Sequence, residues 1–441
     1  MRMLGMRIHM DLIPIPPDRR TWTWEGFGGY WIITGANNSA WMAGSTLFAL
    51  GLSFSQTMGI TLTSHSSWGM RGGFWPVLNR IMTACIWMGI QTYWGGQAVK
   101  IILGGLIGPK FVNWRNTLPP GANPSTIHGS KLSWQALYGV QAVLGLWSGG
   151  IVGQSDWTRY AKTPNASLFG QGVTAPLTII VTAICGAIVT SAAKTIYGGY
   201  YWNPFELLLH IQQTSLTPAA RAGTFFSGLA FLASQMALCI VLNAISTGMD
   251  MAALCPKWIN IRRGCVLLTI IAIAVCPWNY VNAASTFIVV LSGWSIFLSG
   301  MTGILISDYF LVRRGQLHIG DLYMSSSESA YWYTAGFNWR AFVAWGMGIW
   351  PMLPGFVRSV RGTANGNGWD HVYDLSYFFG FFVSGLLFWA LMVIFPTKKQ
   401  RGRSPFVMEL HAERRRDAAS DIHGSEGSDV EGITVKDDKI V

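Results

Sequence analysis

Charged residues are scarce in this sequence. Lysine, arginine, aspartate and glutamate together make up 12% of the 441 residues, whereas hydrophobic residues make up 51% and the mean hydropathy is +0.33. Soluble domains carry about twice that proportion of charge. The shortage of charge excludes an ordinary soluble protein and indicates a chain that lies mostly in lipid.

Residue patterns for catalysis or metal binding are also missing. The six cysteines are scattered through apolar segments without a Cys-x-x-Cys pair, so the sequence indicates neither a disulfide framework nor a zinc site. It has no nucleophile beside a base, no His/Glu metal spacing and no phosphate-binding loop. An enzyme is therefore the weakest interpretation, and we expect no cofactor and no bound metal.

The net charge of +11 does not indicate a nucleic-acid partner. The basic residues lie in short clusters between apolar runs, where the positive-inside rule requires them. The first twenty residues are polar and proline-rich and lack the order of regions that defines a cleaved signal peptide. We therefore expect the N-terminus to remain in the cytosol.

Apolar runs of about twenty residues recur along most of the chain, and a helix of that length crosses about 30 Å of hydrocarbon. This pattern predicts an all-α polytopic membrane protein. Nine spans are predicted, at 28–52, 77–102, 134–153, 173–193, 225–244, 265–281, 284–306, 341–357 and 375–395.

The spans divide the chain into three regions: a cytosolic N-terminal segment at 1–27, a transmembrane domain at 28–395 and a tail at 396–441. The tail begins with a basic cluster at 398–403, which places it in the cytosol. It then becomes acidic and rich in serine and glycine, with too few apolar residues to fold alone, so we expect it to be disordered.

The first span contains a polar stretch at 34–39, where glycine and two asparagines interrupt the apolar run. Close helix packing explains many of the glycines in this chain. A locally unwound helix is the alternative here, and it is tolerated only where the freed backbone groups face protein or a water-filled cavity.

Trp87 and Gln91 stand four residues apart in the second predicted span, so both side chains leave the same helix face. An aromatic face stacks on a flat heterocycle, and a primary amide offers a donor and an acceptor to its edge. The pair suits a nucleobase-like ring. For one isolated pair, however, a packing tryptophan beside a glutamine bonded to a neighbouring helix is the simpler explanation.

Two further residues strengthen the ligand interpretation. Trp147 lies nine residues before Asp156, and Asn243 lies within an apolar span. An amide inside a span requires a partner, which is either another helix or a ligand. Taken alone, Asn243 favours another helix.

The sequence resembles the nucleobase:cation symporter family, in its fungal uracil, allantoin and thiamine permease branch, over most of the chain. The segments that carry the resemblance are Asp11–Pro14 with Arg20–Trp22, Trp68–Arg71, Phe74–Arg80, Asn116–Pro119, Ser155–Ala161, Pro256–Gly264 and Ser307–Gly315.

The resemblance implies a LeuT-like fold of twelve spans, with two inverted five-helix repeats and a central site beside broken helices. In this family a tryptophan of the third helix stacks on the ring and a glutamine one turn later bonds to it. A tryptophan of the sixth helix encloses the ring, and an asparagine of the eighth reads its edge. By motif position these roles fall on Trp87, Gln91, Trp147 and Asn243.

The chain departs from sodium-driven relatives at the ion site. Those relatives place hydroxyl residues about five and six positions before the asparagine, where this sequence has Leu238 and Ala237. The resemblance to fungal relatives implies a proton as the coupling ion instead. No carboxylate lies in the middle of a span, so the sequence does not identify the coupling residue. Asp156 and Arg159 are expected to pair at the cytosolic mouth, either as a structural lock, which we favour, or as part of an inner gate.

The chain is also short for this fold. The segment between Leu52 and Trp68 is too polar and too short to cross a membrane, and Asn116–Pro119 runs almost directly into the sixth-helix motif. We therefore expect helices two, four and five to be absent, which leaves about nine of twelve spans.

Three functions remain open: a secondary transporter, a truncated and inactive relative, and a membrane receptor or scaffold. A transporter would import uracil, allantoin, thiamine, nicotinamide riboside or a related small heterocycle, with a proton as the coupling ion. We expect it in the plasma membrane, with both termini in the cytosol.

Overall fold

A computed structural model of the chain describes residues 20–40, 65–108, 129–152, 155–158, 160–163, 165–255, 257–281, 284–315, 321, 327 and 329–397. Within these ranges the backbone is helical apart from turns and two isolated β-bridges. The tail at 398–441, the segment between Leu52 and His65 and the residues at 109–128 lie outside the described part, together with the predictions made for them.

Twelve helical segments carry the fold of the described residues. Their bounds are α1 Trp24–Gly35, α2 Phe74–Ile107, α3 Ser130–Val152, α4 Ala166–Tyr197, α5 Pro204–Thr214, α6 Pro218–Leu254, α7 Ile261–Ala274, α8 Ala284–Ile306, α9 Trp339–Ile349, α10 Leu353–Val360, α11 Gly368–Asp374 and α12 Ser376–Ile394.

Within the described residues, helices occupy each of the nine predicted spans, of which the first is described only as far as Ala40, and several bounds differ. In the part of the chain that the structure describes, four helices are long and apolar enough on their own to cross a membrane: Ala166–Tyr197, Pro218–Leu254, Thr286–Val312 and Ser376–Ile394. The span predicted at 341–357 is made of α9 and α10, which are joined by a 3₁₀ turn at Trp350–Met352. The sequence analysis missed α5, because its eleven residues fall below the length of a span.

Of the two interpretations of the polar stretch in the first span, the structure shows the helix break. Helix α1 ends at Gly35, Ala36 adopts φ −83° and ψ 69°, and helical structure resumes at Asn38. The Asn37 amide donates to the carbonyl of Thr34, and its Oδ1 accepts from the backbone N–H of Ala40 at 2.9 Å. One side chain thus satisfies backbone groups on both sides of the break.

Helix α8 lies at the centre of the bundle and packs against α3, α9 and α12. Small residues allow these close approaches, since a Cβ on Gly145 would lie 2.3 Å from the Leu291 carbonyl oxygen. Helices α2 and α6 form a second long contact. The contact between α8 and α3 and the contact between α2 and α6 place α2, α3 and α6 around a common space beside the break in α1.

Candidate functional site

A cleft lies between α1, α2, α3 and α6, and the broken segment of α1 forms part of its wall. The space within it, including the part open to solvent, is about 780 Å³. Trp87, Gln91, Trp147 and Asn243 all line this one cleft. The structure therefore brings the four predicted residues together, although they come from three helices and span more than 150 positions of sequence.

Helix α2 supplies Trp87 and Gln91, which are 7% and 5% exposed. The Gln91 Nε2 donates to the Ser39 hydroxyl at 2.8 Å, so the amide is held by the broken segment of α1. The Gln91 Oε1 is buried and makes no hydrogen bond. The amide therefore presents an acceptor that needs a donor.

Helix α3 supplies Trp147, whose ring lies 6.1 Å from the ring of Trp31 at an angle of 54°. Its indole Nε1 is buried without a hydrogen-bond acceptor. Tyr30 and Trp157 add to the aromatic lining, with ring centroids 5.3 Å apart. The cleft thus offers flat apolar surfaces beside polar groups, which is the usual character of a small-molecule site.

Asn243 lies in a π-helical turn, Cys239–Ile245, within α6. Such turns widen a helix by one residue and often mark functional positions. The side chain lines the cleft, and the residue is 8% exposed. Leu238, one of the two positions where sodium-driven relatives carry a hydroxyl, also lines the cleft and offers no oxygen ligand.

An ion pair at one end of the cleft was missed by the sequence analysis. Arg80 lines the cleft and bonds to Asp250 through two nitrogens, with the Nε donating to Oδ2 at 2.6 Å. Both residues are less than a tenth exposed. A signal was present, because Arg80 lies seven residues before Trp87 and Asp250 lies seven after Asn243, so each shares a helix face with a site residue.

No described group of three or more His, Cys, Asp or Glu side chains could hold a metal ion. Among the predicted polar residues at the cleft mouth, Arg159 and the side chain of Asp156 fall outside the described part of the chain. Their proposed pairing is therefore not tested by the structure.

A buried cleft of aromatic rings and amides, placed beside a broken helix in a bundle of membrane-length helices, defines an integral membrane transporter of small molecules. The model of the family "Permease for cytosine/purines, uracil, thiamine, allantoin" matches residues 58–127 and 120–380. The chain belongs to this family.

Curated relatives agree with this assignment. The chain is 28% identical to the uracil permease of Saccharomyces cerevisiae, with 88% of this chain and 76% of the relative covered. It is 29% identical to the allantoin permease of the same yeast, over 88% and 76%. It is 31% identical to an uncharacterised permease of Schizosaccharomyces pombe, over 79% and 74%.

The fold is shared with a solved transporter. Mhp1, described as a nucleobase-cation-symport-1 family transporter and captured closed with bromovinylhydantoin bound, superposes with a TM-score of 0.61 at 18% identity. The match covers 88% of this chain and 95% of Mhp1. The expected LeuT-like transporter fold is thereby confirmed.

The alignment with the uracil permease is longer than the part of this chain that it covers. It extends over 482 positions but takes in 88% of the 441 residues, which is about 388. About 94 aligned positions therefore have no counterpart in this chain. The family model is likewise matched in two pieces, which meet at 120–127.

Proposed function

We propose that this chain imports a nucleobase or a related flat heterocycle across the plasma membrane, coupled to protons. The observation that carries the proposal is the cleft in which two tryptophans and two amides from three helices come together. Relatives named as uracil and allantoin permeases support this class of substrate. Thiamine and nicotinamide riboside transporters of yeast are further relatives, so these ligands belong in the test.

In the proposed complex Trp87 stacks on the ring and Trp147 encloses it from α3. Gln91 and Asn243 then bond to the polar edge of the ring. The orientation of the Gln91 amide indicates which substrate group it binds. Its Nε2 donates to Ser39, and its Oε1 accepts no hydrogen bond within the protein. Gln91 would therefore read an N–H group of the substrate, which uracil and allantoin both provide.

Alternating access would use the break in α1. Ser39 links the broken segment to Gln91, so a substrate that bonds to Gln91 also acts on the segment that can hinge. At the other end of the cleft the Arg80–Asp250 pair joins α2 to α6. We propose that this pair closes the route through that end of the cleft.

Proton coupling is supported by the side chains at the expected sodium site. Ala237 and Leu238 offer no side-chain oxygen, whereas sodium is bound by oxygen ligands.

The orientation of the chain in the membrane is inferred from the distribution of its charge. The Arg80–Asp250 pair and the hydrogen bond from Met70 N to Tyr331 O gather the basic segments next to α2, α6 and α8 at one end of the bundle, which we assign to the cytosol.

A second candidate is a family member that binds its ligand without transporting it, either as an inactive relative or as a receptor or scaffold. The observation in its favour is that about 94 aligned positions have no counterpart in this chain, a number large enough for the three spans that we expect to be absent. Loss of a span would leave the cleft residues in place while removing part of the moving bundle.

Two assays on the wild-type chain separate these candidates. One measures uptake of labelled uracil, allantoin, thiamine and nicotinamide riboside in a host without its own permeases. The other measures the binding of the same compounds to the purified protein. Uptake supports the transporter, binding without uptake supports the second candidate, and the absence of both would contradict the substrate class.

A further inference from the structure

The cleft extends beyond the residues proposed to hold the ring, toward the Arg80–Asp250 pair. Trp87 on α2 and Asn243 on α6 each lie seven residues from their own helix's member of that pair. Seven residues correspond to about 10 Å along a helix. Because Arg80 lines the same cleft as Trp87, the cleft covers this whole distance, and a flat ring stacked on Trp87 would occupy only its near part.

The part of the cleft between the ring site and the ion pair is lined by hydroxyl groups. On α2, Thr83 lies one turn from Trp87. On α6, Ser246 and Thr247 lie one turn from Asn243. All three hydroxyl residues line the cleft and are buried. Because α2 and α6 run antiparallel, one turn toward the ion pair on each helix brings these side chains to the same level.

Helix α3 leaves space at this level. A Cβ on Gly149 would lie 3.6 Å from the Cγ2 of Thr83, so the two residues are neighbours across the cleft. Gly150 shares a helix face with Leu146 and Trp147, and all three line the cleft. A Cβ on Gly150 would meet no atom within 4 Å. Packing between helices therefore does not require glycine at this position, and the missing side chain enlarges the cleft.

The chemistry of this inner layer, which consists of Thr83, Gly149, Gly150, Ser246 and Thr247, suits a neutral ligand group that carries hydroxyls. A side-chain hydroxyl has one donor and two acceptor lone pairs. The Thr83 hydroxyl donates to the Asn79 carbonyl at 2.9 Å, so its oxygen can still accept from a ligand. Among the described residues that line the cleft, Arg80 is the one charged side chain, and Asp250 neutralises it. A phosphate or carboxylate would lack a countercharge here.

We propose that the inner layer binds a pentose, so that the chain prefers a nucleoside to the free base. The inference rests on the proposed function, because the ring is held by Trp87 and the two amides. The attached sugar would extend between Thr83 and Gly150, and its hydroxyls would bond to the side-chain hydroxyls of α2 and α6. Uridine keeps one ring N–H group, which is the group that Gln91 would read.

Binding of uridine and of uracil to the purified protein tests the proposal, because the two compounds share one ring. We expect uridine to bind about tenfold more tightly, the effect of one or two additional hydrogen bonds. Dideoxyuridine keeps the sugar ring but lacks two of its hydroxyls, so it should lose most of this gain. Dideoxyuridine that binds as tightly as uridine would overturn the role of the hydroxyl layer.

Two variants examine the protein side, and the readout is the ratio of the uridine and uracil affinities, since damage to the fold or to the ring site changes both. Thr83→Val keeps the shape but removes the hydroxyl, and it should lower the ratio about fivefold. Thr83→Ser restores the hydroxyl and should restore the ratio. Gly150→Val fills the open space and should lower the ratio about tenfold.

Gly96→Val is the matched control for Gly150→Val. A Cβ on Gly96 also meets nothing within 4 Å, and Gly96 is an exposed helical residue outside the cleft. The two changes have the same intrinsic cost in a helix, so the control should keep the wild-type ratio. Thr83→Val keeps the test decisive if Gly150→Val does not fold.

A wild-type ratio in both Thr83→Val and Gly150→Val would overturn the sugar subsite. If the wild-type protein binds uracil as tightly as uridine, the subsite is contradicted while the proposed function stands. If it binds none of the heterocycles in the panel and no uridine, the proposed function fails, and the subsite fails with it.

Discussion

The guanidinium of Arg80 and the carboxylate of Asp250 form a bidentate ion pair that joins the start of α2 to the end of α6. Both residues are buried, at 9% and 6% exposure. Burial removes the water that would otherwise solvate each charge, so each depends on the other. The pair lies about two helical turns from Trp87 on α2 and from Asn243 on α6.

Removing one partner of this pair should be worse than removing both. Arg80→Met or Asp250→Asn alone should destabilise the protein by roughly 3 to 5 kcal/mol, because an uncompensated charge remains buried. The double variant should recover much of that loss. Thermal unfolding of the four purified proteins provides the double-mutant cycle, and losses that simply add would show that the two residues do not act as a pair.

Glu206 predicts a pH dependence of stability. It lies on α5, which is too short to cross a bilayer and joins two membrane-length helices. Burial raises the pKa of its carboxyl from 4.5 to about 7, and the hydrogen bond from Asn203 at 3.3 Å opposes this only weakly. Because the folded pKa lies above the unfolded one, the folded state holds the proton more tightly.

Stability should therefore fall as the pH rises from about 4.5 to about 7, and then level off. Glu206→Gln should remove this dependence and stabilise the protein at pH 8 by roughly 1 to 3 kcal/mol. Melting temperatures of both proteins between pH 5 and pH 8, compared in the same detergent, provide the check. Equal pH profiles would show that Glu206 titrates normally.

Uptake should depend on pH and not on sodium, because Ala237 and Leu238 remove the expected oxygen ligands. Replacing sodium with choline at fixed pH should leave the initial rate unchanged. Raising the external pH should lower it. A large fall in rate in choline would mean that an ion site is built from other residues.

Periodicity, spacing and family motifs predicted much of the molecule. Gly35 and Asn37 indicated the break in α1, since glycine and asparagine weaken a helix and asparagine can bond to the freed backbone. The spacing of four placed Trp87 and Gln91 on one helix face, which is local information, but it was the resemblance to the family that assigned them to the site. The bonds from Gln91 to Ser39 and from Arg80 to Asp250 join residues 52 and 170 positions apart, and no local pattern encodes which distant side chain becomes the partner.

The charge distribution predicts that the expressed message encodes a further span. With a cytosolic N-terminus and only one span before Arg71, the basic segments at 257–263, 313–314 and 398–403 would face outward, against the positive-inside rule. One added span between Leu52 and Trp68 turns all of them inward. The joint loss of helices four and five removes two crossings, so it does not change the side of the membrane on which the later segments lie.

Sequencing the transcript tests this prediction. We expect an apolar insert of about twenty residues or more near that join. A message that reads directly from Gly59 through Trp68, and whose protein transports, would contradict it.

The central claim is that Gln91 and Asn243 read the edge of a heterocycle held in the cleft, and binding of the uptake panel to matched variants tests it most directly. Gln91→Ala and Asn243→Ala should each weaken binding by roughly 1 to 3 kcal/mol, the cost of an unpaired polar group, without loss of surface expression. Asn279→Ala is the control, because Asn279 is an exposed amide outside the cleft and should bind like the wild type. Wild-type affinity in both cleft variants, for a compound that the wild-type protein binds, would contradict the account.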